Sequence, residues 1–143
     1  MKENEAVQVR ASRKNDRGAA LLEFGLVMIV FFMFVFGFMD FGRALYTYHF
    51  VSNAACEATR YAIVRGADSS DPVTATEITD YVKSLTPLGI NPNDVAVSTT
   101  WSPNNAPGSS VRVKVSDDFP FFTPVIPKYS VTLTGASQMV ISQ

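Results

Sequence analysis

Residues 19–39 read AALLEFGLVMIVFFMFVFGFM, a run of 21 residues in which the only charged side chain is Glu23. At a helical rise of about 1.5 Å per residue, this run is roughly 31 Å long, the thickness of a bilayer's hydrocarbon core. A cleaved secretory signal has a shorter apolar core, about 7–15 residues, followed by an Ala-x-Ala-type site. The run ends Gly37-Phe38-Met39-Asp40-Phe41, without such a site. It therefore predicts a transmembrane helix that stays in the protein.

Basic residues are concentrated before this helix. Five Lys or Arg side chains and three acidic ones precede Ala19, whereas seven Lys or Arg and nine acidic residues follow from Asp40 onward. An excess of basic residues close to one end of a span keeps that end in the cytoplasm. The N-terminus is thus predicted to be cytoplasmic and the C-terminal part extracytoplasmic. The formal net charge of −1 gives no reason to expect a nucleic-acid partner.

After Met39 the apolar residues become restricted to one face of a helix. They recur at steps of three and four residues, and no proline occurs before Pro72. We expect one continuous helix of about 48 residues from Ala19 to a stop near Gly66, with residues 40–66 as its amphipathic extension. The residues predicted to pack against the rest of the protein are Tyr48, Val51, Ala55 and Ala62.

Residues 67–143 predict a small extracytoplasmic α+β domain. Thr74 and Glu77 fit a capping box that opens a short helix, stopped before Pro87. Three strands follow, separated first by a hairpin loop at residues 102–110. Their apolar residues alternate: Val95, Val97, Thr99 and Trp101; Val111, Val113 and Val115; Tyr129, Val131 and Leu133. Gly135 is interpreted as a bulge or a strand end. Because a sheet this small cannot form a stable core by itself, we expect its apolar face to pack against the helix extension.

The chain lacks the residues of a catalytic or metal centre. His49 and Cys56 are each the only residue of their type and lie seven positions apart on one predicted helix, about 10.5 Å along its axis. Asp117 and Asp118 precede Phe119-Pro120 and are interpreted as a solvated turn rather than a cation site. Cys56 is interpreted as a small packing residue. We expect no enzymatic activity, no cofactor and no metal.

Glu23 has two interpretations. Its carboxylate could snorkel to the headgroup region, since it lies five residues into the apolar run. It could instead meet a cation within the bilayer, the default expectation for an ionisable residue inside a span. Position alone leaves both open.

The sequence around Glu23 resembles a known processing site. Arg17-Gly18-Ala19-Ala20-Leu21-Leu22-Glu23-Phe24 is similar to the site of type IV-type prepilins, and more closely to that of the tight-adherence (Tad) branch. Two later stretches, at residues 40–46 and 53–62, resemble the TadE-like family just after its membrane helix. The resemblance covers about 50 residues. It implies that a membrane aspartic peptidase removes a basic leader, residues 1–18, by cutting between Gly18 and Ala19.

The resemblance also implies a function. Glu23 and Phe24 would serve in peptidase recognition and assembly, with Glu23 pairing to the new ammonium at Ala19. Because the major Tad pilins are short and lack a globular domain, the resemblance favours a minor pilin or pseudopilin. Its partners would be the bacterial inner membrane, the prepilin peptidase, other pilin subunits and the inner-membrane assembly platform. Its role would lie in a Tad/Flp-type adhesive pilus or the linked secretion machinery, at the inner membrane and, after assembly, in the pilus or at the cell surface.

A second function is compatible with the same residues. The chain could be a permanently anchored, single-span extracytoplasmic binding module that is neither processed nor assembled. Cleavage after Gly18 distinguishes the two functions.

Overall fold

The computed structural model describes residues 2–122 and 130–142, with the backbone alone over residues 2–17. Two helices and three strands follow one another: α1 Lys2–Ile63, α2 Ala75–Ser84, β1 Val95–Ser102, β2 Ser110–Pro120 and β3 Ser130–Val140. The predicted α+β class, a long N-terminal helix with one short helix and a three-stranded antiparallel sheet, is confirmed. The chain divides into two units, Met1–Met39 and Asp40–Gln143.

Helix α1 differs from its prediction at both ends. It begins at Lys2 rather than Ala19, because residues 2–17 contain no proline or glycine and are rich in good helix formers such as Ala, Glu, Lys and Arg. It ends at Ile63, three residues before Gly66. There the carbonyl of Ile63 accepts hydrogen bonds from the Ser142 backbone N–H at 3.1 Å and hydroxyl at 3.0 Å. The C-terminal segment therefore caps the helix.

Helix α2 forms as its capping signature predicts. The Thr74 hydroxyl accepts the Glu77 backbone N–H, while the Glu77 carboxylate accepts the Thr74 backbone N–H at 2.7 Å. The Thr74 backbone N–H and hydroxyl both donate to the Glu77 carboxylate and lower its pKa, because they favour its ionised form. Val73 and Ile78, which flank the cap, are both buried.

The sheet has the order β1-β2-β3, with both pairs antiparallel. Val95 pairs with Asp117 and Ser102 with Ser110, so the predicted loop does close a hairpin. Strand β3 pairs with β2 from Ser130, opposite Pro120, to Val140, opposite Ser110. The predicted strand residues Val131 and Leu133 lie on β3, whereas Tyr129 lies outside the described residues.

One face of the sheet carries the core. Val111, Val113 and Val115 are fully buried on alternate positions of β2. Met139, Ser137 and Gly135 lie opposite these valines on β3. Leu133 and Val131 continue the same face opposite Asp117 and Phe119, but Val131 at the far end stays 46% exposed. The core joins the sheet to α1 and α2 through these further buried residues: Val51, Ala54, Ala55, Ala58, Ala62, Ile78, Val82, Val95 and Ile141. Residues 40–63 of α1 thus cover the sheet, as the prediction of a docked helix extension requires.

Helix α1 passes close to the sheet at Gly135. This glycine is buried in the middle of β3, opposite Val115. A Cβ atom at this position would overlap the carbonyl oxygen of Val51 and lie 2.6 Å from the Ser52 Cα. We interpret Gly135 as the residue that lets the α1 backbone approach the strand, rather than as the bulge or strand end that its sequence suggested.

Replacing Gly135 should therefore destabilise the Asp40–Gln143 unit. The Cβ of Gly135→Ala would meet helix backbone, which has no rotamer that relieves the overlap, so we expect a loss of about 1–3 kcal/mol in the free energy of unfolding. The matched control is Gly42→Ala, because Gly42 lies on α1 with nothing within 4 Å of an added Cβ. That control should be neutral or stabilising by up to about 1 kcal/mol. Chemical denaturation of the two variants checks this, and equal stabilities would contradict it.

Candidate functional site

The predicted processing residues lie in the Met1–Met39 unit, on α1. Gly18, Ala19, Glu23 and Phe24 are all exposed, and Phe24 retains 60% of its accessible surface. Gly18 has nothing within 4 Å of the position that a Cβ would take. The Gly18–Ala19 peptide bond is part of the helix, so a cut at this bond would require local unwinding. A glycine at this position lowers the cost of unwinding, since it weakens a helix interior by about 1 kcal/mol relative to alanine.

Glu23 has no partner among the side chains that the structure describes. No hydrogen bond or ion pair joins its carboxylate to residues 18–122 or 130–142. Its neighbours along the helix are apolar and exposed, with Leu21 at 72%, Leu22 at 78% and Leu26 at 67%. A single carboxylate therefore lies on an apolar helix surface, and any partner for it must come from outside this part of the chain.

The segment Gly18–Ile63 holds a window long and apolar enough to cross a membrane, by length and composition. None of that window is buried within the protein. Contiguous exposed apolar surface of this extent marks a membrane or protein interaction site in soluble and membrane proteins alike.

The predicted packing residues are found at different depths. Val51, Ala55 and Ala62 are fully buried against the sheet, whereas Tyr48 is 49% exposed. Cys56 is exposed rather than packed, so our interpretation of it as a packing residue was wrong. It follows Ala55 on the helix, about 100° further around the axis, where it is exposed to solvent.

Asp40 connects α1 to the end of strand β2. Asp40 is 3% exposed, and its carboxylate accepts the Phe122 backbone N–H at 3.1 Å from each oxygen. It also forms an ion pair with Arg43 at 3.3 Å, and the Arg43 guanidinium lies 5.0 Å from the centre of the Phe119 ring. The first acid after the apolar run thus holds the β2 end against the helix, a role that the sequence did not reveal.

A cavity of 350 Å³ lies beside this junction, within the Asp40–Gln143 unit. We call it the Asp117 cavity. It is lined by α1, by the segment between α2 and β1 and by the end of β2, through Arg43, Tyr46, Thr47, Gly89, Ile90, Asn91, Asp94, Asp117, Asp118, Phe119 and Pro120.

Asp117 is one of three buried residues of this lining, with Thr47 and Phe119. It lies on β2 and is 7% exposed, so our interpretation of Asp117 and Asp118 as a solvated turn was wrong. Burial raises the pKa of the Asp117 carboxyl, and the nearby Asp94 and Asp118 carboxylates raise it further. The sequence did contain a signal for the burial of Asp117, since this residue continues the alternation of Val111, Val113 and Val115 on the inner face.

The described residues hold no group of three or more His, Cys, Asp or Glu side chains placed to bind a metal ion. Asn91 instead donates a hydrogen bond to Asp94 at 3.1 Å, and the Thr132 hydroxyl donates one to Asp118 at 2.6 Å. The acidic residues near the cavity are therefore oriented in part by neutral donors.

An apolar helix with the length and composition to span a bilayer, followed by a small α+β domain, is typical of proteins anchored in a membrane by one N-terminal helix. Within that class, the family model described as TadE-like protein matches residues 18–60. The predicted TadE-like resemblance is thereby confirmed over this segment, and it relates the chain to proteins of the Tad pilus. The match ends within α1, before α2 and the sheet. No curated protein and no solved structure matches the chain.

The raised pKa of Asp117 predicts how its replacement alters stability with pH. Because the folded protein binds this proton more tightly than the unfolded chain, the stability that protonation gives is present below the ordinary pKa of 3.8 and lost as pH rises through the folded-state value. Asp117→Asn, which stays neutral, should therefore be more stable than the wild type at pH 7. That difference should shrink to near zero below pH of about 4.

Thermal unfolding of both proteins across this pH range measures the difference. Asp80→Asn, on the exposed side of α2, makes the same chemical change away from the cavity and should show no such pH-dependent gain. An Asp117→Asn protein that is less stable than the wild type at pH 7 would contradict the prediction.

Proposed function

We propose that this chain is a minor pilin or pseudopilin of the Tad system, matured by a prepilin peptidase and assembled with other pilin subunits. The observation that carries the proposal is where the family match begins: at residue 18, the glycine after which the resemblance places the cut. Neither the residue pattern around Gly18 nor the family match depends on how residues 67–143 fold.

The environment of Glu23 supports an assembly role. A carboxylate on an exposed apolar helix surface is costly inside a bilayer unless it is paired. Cleavage after Gly18 creates an ammonium at Ala19, four residues before Glu23, in the same apolar segment. Pairing between Glu23 of one subunit and Ala19 of a neighbour satisfies both charges and fixes the relative height of the two helices, because an unpaired charge there is strongly disfavoured.

The Asp40–Gln143 unit supports a minor rather than a major subunit. It is a folded α+β unit with its own core, whereas the resemblance implies that major Tad pilins lack a globular domain. In this proposal the protein is a substrate of an enzyme and not itself an enzyme. Its leader faces the cytoplasm, its span lies in the bacterial inner membrane and its α+β domain is extracytoplasmic.

Processing is the first test. In cells with an active prepilin peptidase, the mature protein should begin at Ala19, which mass spectrometry of the intact protein from native membranes would detect. Gly18→Val should block or slow the cleavage, because a side chain would crowd the peptidase site. Gly25→Val is the matched control, since neither glycine has anything within 4 Å of an added Cβ in the folded chain. An intact Met1 terminus on protein from piliated cells would favour the permanently anchored binding module instead.

The role of Glu23 is the second test. Glu23→Ala should leave membrane insertion intact, since it makes the span more apolar. We expect the amount of subunit recovered with its pilin partners to fall by roughly tenfold, because the Ala19 ammonium loses its counter-charge. The control is Glu57→Ala, which removes a half-exposed carboxylate from the same helix outside the apolar run. Wild-type assembly by both Glu23→Ala and Glu23→Gln would mean that the carboxylate only snorkels.

A further inference from the structure

The turn between α2 and β1 exposes a leucine at its tip. The Pro87 carbonyl accepts the Ile90 backbone N–H at 3.3 Å across this turn, and Gly89 has a φ of +96°, a conformation that favours glycine. Ile90 packs against the core, whereas Leu88 at the tip is 97% exposed. Turn tips are usually occupied by polar residues, proline or glycine. A single exposed leucine is common on protein surfaces, so its significance depends on what lies beside it.

A second exposed apolar side chain, that of Phe122, lies at the same end of the domain. Phe122 is 76% exposed, and its backbone N–H donates to the Asp40 carboxylate at 3.1 Å. Gly89, next to Leu88, and Pro120, two residues before Phe122, line the same cavity beside α1. We call this part of the domain, where Asp40, Leu88 and Phe122 lie, the Asp40 end.

Helix α1 adds further exposed apolar side chains at the Asp40 end. Phe41 directly follows Asp40 and is 63% exposed, and Tyr46, which lines the cavity, is 51% exposed. Among the described residues of the Asp40–Gln143 unit, the exposed Phe and Tyr side chains are Phe41, Tyr46, Tyr48 and Phe122. Aromatic side chains are favoured at the boundary between hydrocarbon and water, where they occupy the headgroup level.

The opposite end of the domain has a more polar surface. There the Ser142 backbone contacts Ile63, and residues 102–110, which read SPNNAPGSS, connect β1 to β2. This loop contains no large apolar side chain. Exposed aromatic side chains are therefore concentrated at one end of the described domain.

We propose that the Asp40 end of the domain rests on the lipid surface, with the Leu88 and Phe122 side chains inserted at the boundary between headgroups and hydrocarbon. Asp40 directly follows the 21-residue apolar run, so the chain leaves the hydrocarbon at this end of the domain. The exposed apolar surface is thus continuous in sequence with the membrane segment. The proposal rests on membrane anchoring by residues 19–39, goes beyond the pilin role and does not depend on processing at Gly18.

The charges at the Asp40 end favour an apolar contact over an electrostatic one. Arg43 forms an ion pair with Asp40 at 3.3 Å, and Asp94 contributes an exposed carboxylate to the cavity lining. A carboxylate near the surface is repelled by anionic lipid headgroups. We therefore expect the contact to form on neutral phosphatidylcholine and to need no anionic lipid.

The test introduces tryptophan probes into the full chain, one at a time. Leu88→Trp and Phe122→Trp are compared with Val140→Trp, a matched control on β3 opposite Ser110, at the other end of the sheet. The three replaced side chains are 97%, 76% and 62% exposed, so the substitutions should leave the fold intact. The native Trp101 is present in every variant, so the wild type gives the background emission.

Each protein is reconstituted at a low protein-to-lipid ratio into phosphatidylcholine vesicles, with or without bromine on the acyl chains near the headgroups. Brominated lipid should quench roughly half or more of the emission that Leu88→Trp and Phe122→Trp add, because such side chains lie about 5–10 Å into the boundary. Acrylamide should quench this emission less than that of Val140→Trp, which the lipid should leave unquenched. The lipid quenching should persist in about 1 M sodium chloride, since the contact is apolar.

Equal quenching of the three probes by brominated lipid would overturn the proposal, and so would loss of the lipid quenching in high salt. Protection of Leu88→Trp and Phe122→Trp from acrylamide without quenching by lipid, rising with the protein-to-lipid ratio, would assign the surface to a protein partner instead. Flotation of the vesicles reports the anchor separately. A chain that does not float with them would contradict the anchoring on which the proposal rests.

Discussion

The Asp40–Gln143 unit is organised around one close contact between helix and sheet. There the α1 backbone at Val51 and Ser52 approaches Gly135 of strand β3. A three-stranded sheet has one face that must be covered, and here a helix presenting mainly alanines supplies the cover. Small residues on both surfaces let the backbones come together. The valines of β2, the buried side of α2 and Ile141 complete the core around this contact. Two further contacts fix the helix. Ser142 caps its end at Ile63, and Asp40 accepts a hydrogen bond from the Phe122 backbone N–H.

Much of this fold follows from local sequence signals. The 21-residue apolar run, the Thr74–Glu77 capping box and the alternation of β1 and β2 are each decided by neighbouring residues, and each appears in the structure. The close contact at Gly135 depends instead on a helix more than 80 positions earlier, so the glycine alone suggested only a bulge or strand end. Likewise, the helix end at Ile63 depends on Ser142. Long-range contacts of this kind leave no periodic pattern within one segment.

Some candidate functional residues could likewise be recognised from local sequence, and others depend on long-range contacts. Gly18 and Glu23 form a contiguous pattern that the sequence shows directly, and the family match begins at the first of them. The burial of Asp117 was predictable in principle, because it occupies the next alternate position after the core valines of β2. We interpreted it as solvated instead, because two acidic residues are adjacent there. Asp40 carried no such signal. Its importance comes from the Phe122 backbone, which only the folded domain brings to it. The exposed position of Cys56 could have been inferred, because Asn53 and Arg60, three residues before it and four after it on the helix, are polar and exposed.

Residues 40–63 of α1 belong to the folding unit of the α+β domain and are not merely a connection to the apolar segment. Burial of each apolar side chain contributes about 1.5–3 kcal/mol, so losing the helix would remove an amount comparable to the whole stability of a small domain. Denaturant unfolding of two fragments, residues 40–143 and residues 68–143, tests this most directly. The longer fragment should unfold cooperatively, and the shorter should show no cooperative transition or should aggregate. Cooperative unfolding of residues 68–143 alone, with a midpoint near that of the longer fragment, would contradict the claim.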